Sequence, residues 1–94
     1  MKLVYAREAV ADLVRLRHFI ATHDPGAAQR VGRELVRRIE HLRRFPEMGA
    51  RVERAREPAD IRDMVFGNYV VRYSIHARAI AILRVWHHFE ERSR

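Results

Sequence analysis

Residues Ile61–Ile75 read IRDMVFGNYVVRYSI, two runs rich in β-branched and aromatic residues that meet at Gly67-Asn68. A two-residue link with glycine first suits a type II′ hairpin turn, so Ile61–Phe66 and Tyr69–Ile75 are predicted to be paired strands. Downstream, Ala79–Trp86 (AIAILRVW) is almost continuously apolar. That pattern is expected of a central strand covered on both faces. Upstream, Met48–Ala59 is charged and contains Gly49 and Pro58, and it reads as a loop.

Before Pro46 the period is helical. From Ala6 to about Thr22, Ala9, Leu13, Leu16 and Ile20 recur at spacings of three and four with Val10 and Val14 beside them, which is one face of an amphipathic helix. Asp24-Pro25 then offers a capping carboxylate and a proline at the first helical position, where its missing N–H costs nothing. A second helix starts there, with Ala28, Val31, Leu35, Ile39 and Leu42 as its core stripe. Phe45-Pro46 ends it, because the residue before proline is pushed out of the α region. Lys2–Tyr5 leaves room for one short strand. The expected class is α+β: an N-terminal strand, an antiparallel helical hairpin, then a three-stranded antiparallel meander, with residues 1–94 forming a single domain.

Composition narrows the function. At 94 residues and 48% hydrophobic, the chain has material for one packed core and too little for two. No stretch approaches the roughly 20 apolar residues that span a bilayer, and Met1–Tyr5 runs into charged sequence without a signal-peptide core. A soluble cytoplasmic protein with no membrane partner is the expectation. Cysteine is absent, which removes disulfides, thiolate nucleophiles and Cys-based zinc sites. The net charge is +7, and of 19 basic residues only Lys2 is lysine. Codon preference in a GC-rich genome would explain arginine over lysine, but it leaves the charge excess itself unexplained. Guanidinium groups in excess imply a nucleic acid, a nucleoprotein or an acidic protein as partner.

Several pieces of sequence carry a resemblance. Ala9-x-x-Asp12-Leu13, Ala27-Ala28, Leu42-x-x-Phe45-Pro46-x-x-Gly49, Arg62, Gly67-Asn68-Tyr69-x-Val71-x-Tyr73 and Ile82-Leu83-Arg84-Val85-Trp86-His87 stand in an order and at separations that resemble the ParE/RelE superfamily, and its ParE-like, plasmid-stabilisation branch in particular. The resemblance spans nearly the whole chain. It implies the toxin of a type II toxin–antitoxin pair, neutralised by a cognate antitoxin encoded beside it. Such an antitoxin carries its own DNA-binding domain and wraps the toxin with a C-terminal segment, so operator DNA is reached only indirectly.

Two activities compete within that superfamily: RelE-like ribosome-dependent cleavage of mRNA, and ParE-like inhibition of DNA gyrase, which needs no hydrolytic site. Cleaving RNA through its 2′-OH requires a base, an acid and cations at the phosphate. The candidates for that chemistry are Arg62, Arg84, His87 and Tyr69. The wider set expected to meet a target or partner is Arg62, Tyr69, Tyr73, Arg84, His87, His88 and Arg92. The alternative is that the arginines are solvated residues of a sheet face and His87 is structural. His87 and His88, adjacent on extended chain, would point to opposite faces and could not share one metal, so neither metal nor cofactor is expected. The lysine-rich catalytic surface of the RelE-like branch is missing, which shifts weight to the gyrase inhibitor. An inactive module that binds only antitoxin or DNA is the third reading. The second helix offers Arg30, Arg33, Arg37, Arg38, Arg43 and Arg44 against Glu34 and Glu40, a surface for DNA or RNA or simply a solvated face, since it has no aromatic residue on which bases would stack. Phe66, Tyr69, Tyr73, Trp86 and Phe89 fall in the sheet region, most of them expected in the core.

Overall fold

The computed structural model describes residues 1–52 and 60–90. In chain order the elements are β1 (Lys2–Tyr5), α1 (Arg7–His23), α2 (Pro25–His41), β2 (Ala50–Arg51), β3 (Asp60–Phe66), β4 (Tyr69–Ile75) and β5 (Ala79–His87). Among the described residues no helix is long and apolar enough to cross a membrane.

Asp24 makes the helical hairpin. Its N–H donates to the Ile20 carbonyl at 2.8 Å, closing α1. Its carboxylate accepts from the Ala27 N–H at 3.1 Å, capping α2, with Pro25 at the first helical position as expected. The regular part of α2 stops at His41, and the chain winds on through residues 42–44 so that Leu42 is still fully buried.

The strands form one sheet in the order β1-β5-β4-β3-β2. The β3–β4 hairpin has the predicted partners, and Gly67 has a φ of +57° while Asn68 has none in the positive region. A type I′ turn would need positive φ at both positions, so the geometry matches II′. One feature differs from the sequence reading, and another fills in what that reading left open. Within Met48–Ala59, which reads as a loop, Ala50 and Arg51 pair with Asp63 and Arg62 as β2. In addition, β1 lies parallel to β5, so the sheet is mixed: the two helices between β1 and the meander carry the chain back to the end from which it started.

The core fills the space between the helices and one face of the sheet. Ala9, Leu16, Leu35, Ile39 and Leu42 meet Met64, Val71, Tyr73, Ile80, Ile82 and Val85. Strand β5 is central but is not covered on both faces as expected: Ile80, Ile82 and Val85 are buried, while Ala79, Ala81, Leu83 and Trp86 stay half-exposed. Both helices occupy the same face, because a one-residue link cannot carry the chain across the sheet. The buried stripe of α1 also differs from the apolar pattern, running through Ala9, Asp12 and Leu16 with Val10 and Val14 about half exposed.

One close approach ties the loop before β2 to the sheet. The buried Tyr73 hydroxyl donates to the Pro46 carbonyl at 2.7 Å and accepts from the Gly49 N–H at 2.9 Å. A methyl on Gly49 would sit 2.7 Å from the Tyr73 hydroxyl oxygen and 2.9 Å from the Asp63 carbonyl oxygen, closer than van der Waals contact allows. Gly49→Ala is therefore expected to lower stability by roughly 1–3 kcal/mol, and Tyr73→Phe by about 1–2 kcal/mol through two stranded backbone groups. Urea denaturation at neutral pH measures both, and an unchanged midpoint for Gly49→Ala would show that the loop is free to move.

Candidate functional site

β1 accompanies β5 only as far as Ile82. Ala6 then donates its N–H to the Ile82 carbonyl at 2.9 Å, and the chain turns into α1. Beyond that point the backbone of β5 has no β1 residue beside it, and its polar groups still need partners. Side chains supply them. The Val85 N–H donates to Asp12 Oδ2 at 2.8 Å, the Val85 carbonyl accepts from Arg15 Nη2 at 3.3 Å, and the His87 N–H donates to Glu90 Oε1 at 2.9 Å.

These groups are also joined to one another. Arg84 donates to Asp12 through Nε at 2.8 Å and Nη2 at 3.1 Å, the two-pronged geometry that suits a carboxylate. Arg15 reaches Asp12 with Nη1 and clasps Glu90 through Nε at 2.9 Å and Nη2 at 3.1 Å. Burial of the Asp12 carboxyl pushes its pKa up, but hydrogen bonds from Arg84, the Val85 N–H and Arg15 outweigh burial and hold it at about 2. The carboxylate is thus the anionic centre of a clasp between α1 and the end of β5.

The other sequence-predicted residues are spread through the sheet. Arg62 gives its Nη1 to the Glu47 and Gly49 carbonyls, both at 3.0 Å, and its Nε to Asp60 at 3.1 Å. Tyr73 has no accessible surface. Tyr69 is half-buried, and burial together with the charge of Glu90 raises its hydroxyl above the usual tyrosine range. His87 ends β5 with Nδ1 accepting from the Phe89 N–H at 3.1 Å, which leaves the neutral ring's proton on Nε2. Its imidazole lies among Tyr69, Phe89 and Phe19, with centroids 5.0, 5.4 and 5.6 Å away. His88 has already left the strand for a turn, so the expected opposition of two histidines on extended chain does not arise. Arg92 lies outside the described residues.

The register gives the spacing of the candidates. Arg62 stands across from Tyr73, Arg84 across from Arg72 and His87 across from Tyr69. Arg62 and His87 are therefore two strands apart and offset by four residues along β4, about 13 Å at ~3.3 Å per residue. Their side chains do not converge on one reacting atom.

Residues 3–92 match a family model described as the ParE toxin of the type II toxin–antitoxin system parDE. The chain belongs to the ParE toxin family. Over 87 residues it is 31% identical to Toxin RelE2 of Caulobacter vibrioides, covering 92% of this chain and 93% of the relative. A solved structure of the chromosomal ParDE TA system from P. aeruginosa superposes with a TM-score of 0.74 over 93% of this chain and 95% of that one; at 19% identity this is a likeness of fold.

In this ParE-family chain the separated sequence pieces turn out to be halves of two contacts. The pair Ala9-x-x-Asp12-Leu13 and Ile82–His87 meets in the Asp12 clasp. Phe45-Pro46-x-x-Gly49, Arg62 and Tyr73 meet in the loop anchor. Sequence reasoning missed Asp12, Arg15, Glu90 and Phe19 as parts of one assembly. Asp12 alone left a signal, since it sits three residues after Ala9 and four before Leu16, a charge within the buried stripe.

Asp12 should dominate the acid stability of the fold. Its folded pKa of about 2 lies below the 3.8 of an unperturbed aspartate, so its contribution, about 2 kcal/mol, is fully present above the unfolded pKa and disappears as pH falls through the folded one. Asp12→Asn is expected to lower stability at pH 7 by about that amount and to flatten the loss between about pH 4 and pH 2. Thermal melting of both proteins across that range checks it; identical acid profiles would assign the acid lability to other carboxylates.

Proposed function

We propose that this ParE-family chain is a cytoplasmic growth-inhibiting toxin that acts on DNA gyrase without hydrolysing a phosphodiester, and that a cognate antitoxin encoded beside it neutralises it. The observation that carries this reading is the prior commitment of the groups a ribonuclease would need. Arg62 is bound to the loop carbonyls and Asp60, Arg84 to Asp12, and the Tyr69 hydroxyl is raised rather than lowered, which makes it a poor base. His87 is left without a converging partner for proton transfer. The second reading, a RelE-like ribosome-dependent mRNA endoribonuclease using Arg62, Arg84, His87 and Tyr69, draws on the 31% identity with Toxin RelE2. An inactive antitoxin-binding or DNA-binding module is the third. In the two toxin readings, contact with operator DNA runs through the antitoxin.

The surface suited to the antitoxin is the outer groove between α1 and α2, about 600 Å³ in volume. Val10, Val14 and Val36 line it at 49%, 54% and 44% exposure. Arg17 and Arg33 also line it, and neither has an ion-pair partner among the described residues. An acidic amphipathic segment complements such a groove. Antitoxin is expected to raise the melting temperature and relieve self-association of the free toxin; a highly soluble monomer that antitoxin does not stabilise would contradict this.

Expression of the chain alone is expected to arrest growth, and the neighbouring reading frame to restore it. Purified protein should inhibit gyrase supercoiling or trap cleaved DNA while leaving ribosome-bound mRNA intact, and His87→Ala should alter toxicity little. Ribosome-dependent cleavage that falls about 10²- to 10⁴-fold in His87→Ala, the usual contribution of a general acid or base, would move the chain to the ribonuclease reading. Unimpaired growth at full soluble expression would favour the inactive module.

A further inference from the structure

The cationic helix α2 carries no aromatic side chain of its own, yet the fold brings rings from β3 and β4 beside its residues Arg30, Glu34 and Arg38. The Arg38 guanidinium lies 4.9 Å from the Phe66 ring centroid, Phe66 is 6.4 Å from Tyr69, and Tyr69 is 5.0 Å from His87. His87 in turn touches Phe19 from α1 and Phe89 from the C-terminal turn. The outermost of these rings are accessible: Phe19 is 40% and Phe89 70% exposed. A phenylalanine that open, on a turn held in place by the Arg15–Glu90 clasp, contributes little to the core.

One cation at this pole has no carboxylate to neutralise it. Arg30 shares a depression of about 310 Å³ with Phe66 and Tyr69, and it has no ion-pair partner among the described residues. Among the described residues the carboxylates at this pole are engaged, Glu34 with Arg37 and Arg38, Glu90 with Arg15, and Asp24 with the Ala27 N–H. From Phe66 and Tyr69 beside Arg30 the rings run on through His87 to the open faces of Phe19 and Phe89, and on a chain of net charge +7 such a run matches what single strands require: π-faces for unpaired bases and a cation for their backbone. A duplex hides its base faces and gains nothing from the rings. A protein partner would cover the rings with apolar side chains, a use that does not call for a cation beside them.

We infer that this pole binds single-stranded nucleic acid, with unpaired bases stacking on Phe89 and Phe19 and a phosphate held by Arg30. The site requires no hydrolysis and is independent of which target the toxin arrests. Phe89→Ala removes the ring and leaves intact the backbone N–H that holds His87 Nδ1, so the variant should fold and melt as the parent does.

The test is fluorescence anisotropy of the full chain with labelled oligo(dT) and oligo(rU), against a duplex of equal length, at two salt concentrations. Single strands are expected to bind more tightly than the duplex. Phe89→Ala should weaken single-strand binding about tenfold, the loss of one stacked base, and leave duplex binding unchanged. Arg30→Ala should reduce the salt dependence by about one phosphate contact, whereas Arg78→Ala, in the turn at the far end of β5, should change neither. Equal affinity for duplex and single strand, full affinity in Phe89→Ala, or no binding at all would overturn the inference. If Phe89→Ala lost antitoxin or target protein while oligonucleotide binding stayed intact, the pole would belong to a protein partner and the inference would likewise fall.

Discussion

Where β1 stops at Tyr5, the central strand β5 continues for five more residues with one edge uncovered by a strand. An uncovered edge inside a fold leaves donors and acceptors without partners, at a cost comparable to a lost hydrogen bond for each group. This chain meets the constraint with side chains: Asp12, Arg15 and Glu90 take the place of the missing strand. A buried carboxylate is tolerable only with full compensation. Arg84, Arg15 and the Val85 N–H provide it, and the position of α1 on the sheet follows from that requirement.

The same economy governs the arginines. Arg15, Arg62, Arg72 and Arg84 are all engaged in internal contacts. Arg72 is a clear case, paired with Asp63 through two hydrogen bonds and stacked 5.2 Å from the Trp86 ring centroid. The sheet arginines, which look most like phosphate ligands in the sequence, therefore serve mainly to hold strands and loops in register. Among the described cations without an ion pair are Arg17, Arg30 and Arg33 on the helices.

Much of the fold was legible residue by residue. The Asp24-Pro25 cap, the glycine-first turn and the period of α2 are local signals, and each depends on backbone geometry within a few positions. Strand β2 was not legible, because two residues carry no period and their pairing depends on where β3 lies. The single covered face of β5 was hidden for a related reason. An apolar run records that a strand is central but says nothing of which side the helices take.

The candidate site divides along the same line. Which residue types are present, the cationic excess, the absence of cysteine and lysine clusters and the family-like order of motifs were set by the sequence alone, since they need no coordinates. Whether a given arginine faces a partner or a carbonyl was decided only in three dimensions. Arg62 and Arg84 look alike in the sequence, yet one closes a loop and the other neutralises a buried carboxylate 72 positions away. Contacts at that separation depend on topology, because only the parallel return of β5 beside β1 brings residue 84 against α1.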